Sequence, residues 1–173
     1  MRIHFRLLAI AAAAVVLVAC GNKSDNEVSN SQNVPPLTAA TLGTQTLLSA
    51  EAYLAQARYA DTDRKNGAVQ AQICRACHSF DDGGPNMIGP ALHGFFGTGA
   101  GSRNRYDYSP VMRNARFVWT PRALDGWLAQ PGRFLPGNRM MFAGVMRQSD
   151  RDDLVAYLLH VTSVSDSSEN KQD

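Results

Sequence analysis

Apolar residues recur at helical spacing in three stretches of this chain, and the runs between them are broken by glycine and proline. A helix is predicted over 63–74, leading into the first of two neighbouring cysteines. A second starts at Thr120-Pro121, because threonine is a good N-cap and proline is pre-organised for the first helical position. It sets Leu124, Trp127 and Leu128 on one side and stops before Pro131. A third starts at Ser149-Asp150-Arg151-Asp152, which resembles a capping box. Its apolar face is Leu154, Tyr157, Leu158 and Val161. A shorter helix is predicted over 49–59, with Ser49 as N-cap and Glu51 in the first turn. No stretch sustains the alternation of a strand. The expectation is an all-α fold of three main helices plus loops. Its core is thin, and something besides side chains must help to fill it.

The two ends of the chain have a different pattern. Arg2 and Arg6 precede an unbroken apolar run of 13 residues from Leu7 to Ala19. That is the length of a signal h-region and falls short of the ~20 residues of a spanning helix. The run ends in Ala19-Cys20-Gly21 and resembles the bacterial lipoprotein cleavage box. The resemblance implies that Cys20 becomes the mature N-terminus and carries lipid. The expected organisation is a lipoprotein signal peptide over 1–19, a lipid-anchored flexible tether over 20–48, one domain over 49–164 and a polar tail over 165–173. The tether reading rests on Asn, Ser and Pro without apolar periodicity. The expected location is the cell envelope of a Gram-negative bacterium, facing the periplasm.

Composition narrows the function classes. The chain has 173 residues, three cysteines, four histidines and a formal net charge of +2. It is too short for a doubly wound enzyme with a separate substrate domain. Three cysteines are too few for a disulfide scaffold. No long run of like charge appears, so no nucleic-acid partner is expected. Between Asp61 and Thr162 there are 12 Lys and Arg against 9 Asp and Glu, a modestly basic stretch between polar ends.

The chemistry lies in Cys74-Arg75-Ala76-Cys77-His78. C-x-x-C-H is the spacing of covalent c-type haem attachment. Two thiols three positions apart at the end of a helix reach both vinyl groups of one porphyrin, and the adjacent His78 imidazole is then held beneath the iron. A redox dithiol would sit in a strand–helix context that this chain lacks. A zinc site needs four ligands, and His93 and His160 are the only other histidines beyond the signal.

The segment Phe134-Leu135-Pro136-Gly137-Asn138-Arg139-Met140-Met141-Phe142 closely resembles the haem-ligating loop of the class I, mitochondrial-type cytochromes c. The resemblance extends from about Gly67 to Val161, through Gly89-Pro90, Leu92, Gly94, Phe96 and Gly97. It implies the cytochrome c fold, wrapped around one covalently attached heme c. It implies Met140 as the axial thioether, with Met141 the adjacent alternative, and a Pro90 carbonyl bonded to the proximal His78. Tyr108 and Trp119 match residues that hydrogen-bond a buried propionate, and Asn138 falls near a propionate as a donor. His93 is expected to be a surface loop histidine. There are also departures from the family pattern. Thr98 stands in place of an arginine, Met112 in place of an asparagine and Trp127 in place of a tyrosine whose hydroxyl reaches the axial sulfur. Gln70 occupies the usual aromatic position of the first main helix.

The implied function is one-electron transfer. A haem with both axial positions filled has no open site for substrate, so an electron carrier is expected rather than an enzyme. The expected partners are a quinol oxidase or dehydrogenase as donor and a terminal oxidase or reductase as acceptor. The carrier is expected to be a monomer held at the membrane by Cys20. Arg75, Arg133, Arg139 and Arg147 are candidates for a basic docking ring. The rival readings are a haem peroxidase or small-ligand-binding protein with a labile axial Met, and a fixed haem subunit of an oxidase or reductase complex.

Overall fold

The frame of the fold is a crossing of two helices, α3 (Arg64–Arg75) and α7 (Gln148–Thr162). The computed structural model describes residues 35–164. The expected signal peptide, Cys20 and polar tail therefore lie outside the described residues. The crossing is close because Gly67 has no side chain. A Cβ there would lie 2.7 Å from the Tyr157 Cβ and would also strike the Asp153 carbonyl oxygen. Around this contact Leu154, Val155, Leu158 and Leu159 of α7 are fully buried, as is Ala71 of α3. The rim of the crossing is polar. Asn66 donates its amide to Asp150 Oδ1 at 2.9 Å and to Asp153 Oδ2 at 2.8 Å.

Five shorter helices complete the domain: α1 (Ala50–Leu54), α2 (Ala57–Ala60), α4 (Pro110–Arg113), α5 (Pro121–Ala129) and α6 (Pro131–Phe134). The fold is all-α, and its one β contact among the described residues is an isolated bridge between Gly99 and Val118. Thr120 caps α5 by accepting from the Ala123 amide, and Ser109 does the same for α4 at Met112. Arg58 of α2, Asp125 of α5, and Arg151 and Asp152 of α7 form one ion-pair network, with N···O distances of 2.6 to 2.9 Å.

Three expectations from the sequence change in detail. The helix expected over 49–59 breaks at Gln56, whose backbone is extended. Tyr53 and Tyr59 are both buried, and on one straight helix they would point about 120° apart. The last helix starts at Gln148 rather than at Ser149. Its Asp150 makes no cap and instead takes the Arg147 guanidinium, at 2.7 Å on each oxygen, together with Asn66. The third change concerns 35–48, expected as the end of a flexible tether. Leu42 is buried, the Ala39 amide donates to the Phe134 carbonyl at 3.0 Å, and the Gln45 amide bridges both backbone groups of Val118. Single apolar anchors and one glutamine hold this stretch, so it carries no periodic signal.

Candidate functional site

The last turn of α3 places Cys74, and the chain then keeps turning. The amides of Cys77 and His78 both donate back to the Cys74 carbonyl, at 3.1 and 2.9 Å. Both thiols and the imidazole are thereby brought to the same cavity, of about 460 Å³. The two sulfurs are not joined to each other. Burial pushes the Cys74 thiol up to about 11.

His78 is seated by two features of the following loop. Its Nδ1 lies 2.7 Å from the Pro90 carbonyl. A carbonyl only accepts, so Nδ1 carries the proton and Nε2 keeps its lone pair. The ring also needs Gly89, since a Cβ there would collide with the imidazole itself. Burial draws the imidazole pKa down, and the bond to Pro90 only partly opposes this. The ring is therefore neutral at pH 7, the form in which imidazole ligates a metal.

Met140 lines the same cavity, half-buried, and its sulfur accepts the Trp127 indole N–H at 3.1 Å. Met141, its sequence alternative, is fully exposed, at 101%. Trp127 sits in an edge-to-face set of aromatic rings with Trp119 and Phe134, and Phe117 packs on both of those. Tyr108, Trp119, Thr98 and Met112 line the cavity as well. Asn138 lines it too, but its amide has a different task from the donor expected near a propionate. Nδ2 donates to the Pro131 and Leu135 carbonyls at 2.9 Å each, and Oδ1 accepts from the Met140 amide at 2.8 Å. Asn138 thus clamps the loop that presents Met140. Its position two residues before the methionine is the spacing at which Asn accepts from backbone in an Asx turn. His93 is outside the cavity, with Nδ1 at 3.2 Å from Asp82.

The expected basic ring is largely closed on itself. Arg139 pairs with Asp107 at 3.0 Å, and Arg147 pairs with Asp150 at 2.7 Å. Arg75 lies over the Phe80 ring, 4.3 Å from its centre. Among the described residues only Arg133, of the four, has neither kind of partner.

A largely apolar cavity with paired thiols at a helix end, an unprotonated imidazole nitrogen and a thioether defines a protein built to hold a covalently attached macrocycle. Its volume lies within the usual range of cofactor sites. The cytochrome c family model matches residues 64–162, and the chain belongs to the cytochrome c family. It is 42% identical over 95 residues to a cytochrome c homolog of Bradyrhizobium diazoefficiens, covering 54% of this chain and 52% of that protein. It is 38% identical over 104 residues to cytochrome c2 of Agrobacterium tumefaciens, covering 58% of this chain and 94% of that one. Cytochrome c of Kluyveromyces lactis is 34% identical over 98 residues, covering 57% of this chain and 89% of that one. Covalently bound heme c is the cofactor, and the chain is an electron carrier rather than an enzyme. Among the described residues no helix is long and apolar enough to cross a membrane.

Proposed function

We propose that this chain is a monohaem class I cytochrome c, tethered to the membrane by a lipidated Cys20, that carries single electrons between respiratory complexes. The donor is a quinol oxidase or dehydrogenase, and the acceptor is a terminal oxidase or reductase. The haem supplies a one-electron iron couple when bound. Cys74 and Cys77 hold it covalently, His78 Nε2 is the proximal ligand and Met140 Sδ the distal one. The observation that carries this reading is the paired support of the two ligand atoms. The Pro90 carbonyl fixes the imidazole tautomer, and the Trp127 N–H meets the thioether. Both supports are rigid, so little rearranges when the charge changes by one. Tyr108 and Trp119 line the same cavity, and their hydroxyl and indole N–H are the donors proposed for a propionate.

Binding of the thioether leaves a charge-transfer band in the oxidised spectrum. That band is expected in the wild-type protein and absent in Met140→Ala, with the haem still covalently attached. A wild-type spectrum without it would overturn the ligand assignment. The anchor has its own test. Cys20→Ala is expected to release the cytochrome from membranes washed with salt, and retention would remove the lipid from the account.

A further inference from the structure

Residues 35–48 lie outside the 64–162 that the cytochrome c family model matches, and none of them lines the haem cavity. They are nonetheless fastened to the domain at several points. Thr38 and Thr41 close a turn, in which the Thr41 amide donates to the Thr38 carbonyl at 3.1 Å and the Thr38 amide donates to Thr41 Oγ1 at 2.9 Å. Leu42, just after the turn, is buried in the core.

The two ends of this stretch grip two aromatic neighbours of Trp127. At the first end the Ala39 amide donates to the Phe134 carbonyl at 3.0 Å. Leu37 packs beside the Phe134 ring over Gly126 of α5, where an added Cβ would lie 3.0 Å from Leu37 Cδ2 and 2.9 Å from the ring. At the second end Gln45 bonds to the backbone before Trp119 and the side chain after it. Its Oε1 accepts from the Val118 amide at 2.8 Å, and its Nε2 donates to the Val118 carbonyl at 2.7 Å and to Thr120 Oγ1 at 3.0 Å. The Phe134 and Trp119 rings then meet the Trp127 ring edge to face, with centroids 6.0 and 5.5 Å away. Trp127 spends its one polar hydrogen on the Met140 sulfur. Packing alone therefore sets where that hydrogen points, and a close-packed interior transmits small displacements. A second route runs through α6, because Asn138 ties the Met140 loop to the Pro131 and Leu135 carbonyls on either side of Phe134.

We infer that residues 37–45 are a strap that positions the distal ligand: Leu37, the Ala39 amide and Gln45 hold Phe134 and Trp119 against Trp127, and Trp127 holds the Met140 sulfur. This rests on Met140 as the ligand proposed above. The strap touches neither the sulfur nor the cavity, so Leu37 and Gln45 are positioning residues. Their effect is on local opening of the Met140 loop. Such an opening has its own free energy, smaller than that of global unfolding. Loosening the strap lowers that local cost, whereas loosening the α3–α7 crossing lowers global stability and leaves the loop as it was.

The test titrates the full-length, haem-loaded, oxidised protein with imidazole, following the thioether charge-transfer band, and measures urea unfolding beside it. Leu37→Ala and Gln45→Ala are each expected to lose the band at about threefold to tenfold lower imidazole than the wild type. Leu37→Met refills the contact and is expected to restore the wild-type titration. Gly67→Ala, in the helix crossing, is expected to unfold at lower urea yet to titrate with imidazole as the wild type does. Wild-type titrations in both Leu37→Ala and Gln45→Ala would overturn the strap and leave the carrier and its ligand standing. A shift in Gly67→Ala as large as theirs would do the same, since global stability would then account for all three. A wild-type protein without the band would instead overturn the ligand reading, and the strap with it.

Discussion

Trp127 is the residue through which this chain adjusts its proposed iron ligand. Its indole N–H can only donate, and it donates to the Met140 sulfur. Donation withdraws electron density from the thioether and favours the reduced iron. Trp127→Phe keeps the ring packing and removes the donor. One such bond contributes about 1 kcal/mol, or about 40 mV for a one-electron couple at 59 mV per tenfold. The potential of Trp127→Phe is therefore expected to fall by roughly that amount, as read by redox titration, and an unchanged potential would separate the indole from the ligand. Asn138 acts one step further back. Asn138→Ala removes three bonds that hold the Met140 loop, so exogenous imidazole is expected to displace the thioether at about tenfold lower concentration. Absorbance titration checks this. The C-x-x-C-H motif was legible because its chemistry is local. The clamp by Asn138 was not, because it depends on where the chain brings the Pro131 and Leu135 carbonyls.

At the scale of elements, the helix crossing and the ion-pair network hold the frame. Gly67 lies where α3 meets the backbone of α7. Alanine there gains about 1 kcal/mol of helix propensity but must force two helices apart, which costs about 1–3 kcal/mol. Gly67→Ala is expected to be destabilised in urea, and larger side chains more so. Asp125 joins α2, α5 and α7. Burial alone would raise its carboxyl pKa, but the bonds from Arg151, Arg58 and Gln148 outweigh that and hold it below the usual range. The lowered pKa gives the sign. The stabilisation is complete above the unfolded value near pH 4 and is lost as pH falls through the lower folded value. Asp125→Asn leaves Arg151 without its carboxylate and Arg58 with Asp152 alone, and is expected to cost about 3 kcal/mol at pH 7. The deficit shrinks toward pH 3, and denaturation at both pH values measures it. The sequence pattern located α3, α5 and α7, whose apolar faces are periodic. It merged α1 with α2 and missed α4 and α6, because helices of four or five residues are too short for a period to show.

At the scale of the whole molecule, the fold is built around what fills its cavity. Without the haem, the largely apolar walls of a cavity of about 460 Å³ would face water, and that unburied surface opposes folding. Helical structure in this chain is therefore expected to depend on the haem. Cys74→Ser with Cys77→Ser, grown where haem is attached, is expected to lose most of its far-UV circular dichroism. A native-like spectrum without haem would show that the side chains suffice.

The sequence alone determined the all-α class, the three main helices, the attachment motif and the family, because helical period and motif spacing are properties of neighbouring residues. Only the tertiary structure decided that the Trp127 indole meets the sulfur of Met140 while Met141 is fully exposed, that Asn138 clamps the Met140 loop, that 35–48 packs on the domain and that Asp107 and Asp150 take up cations of the expected ring. Each of these joins residues or loops whose meeting depends on the path of the folded chain. No local pattern encodes such a contact, because its energy exists only once the fold has brought both sides together.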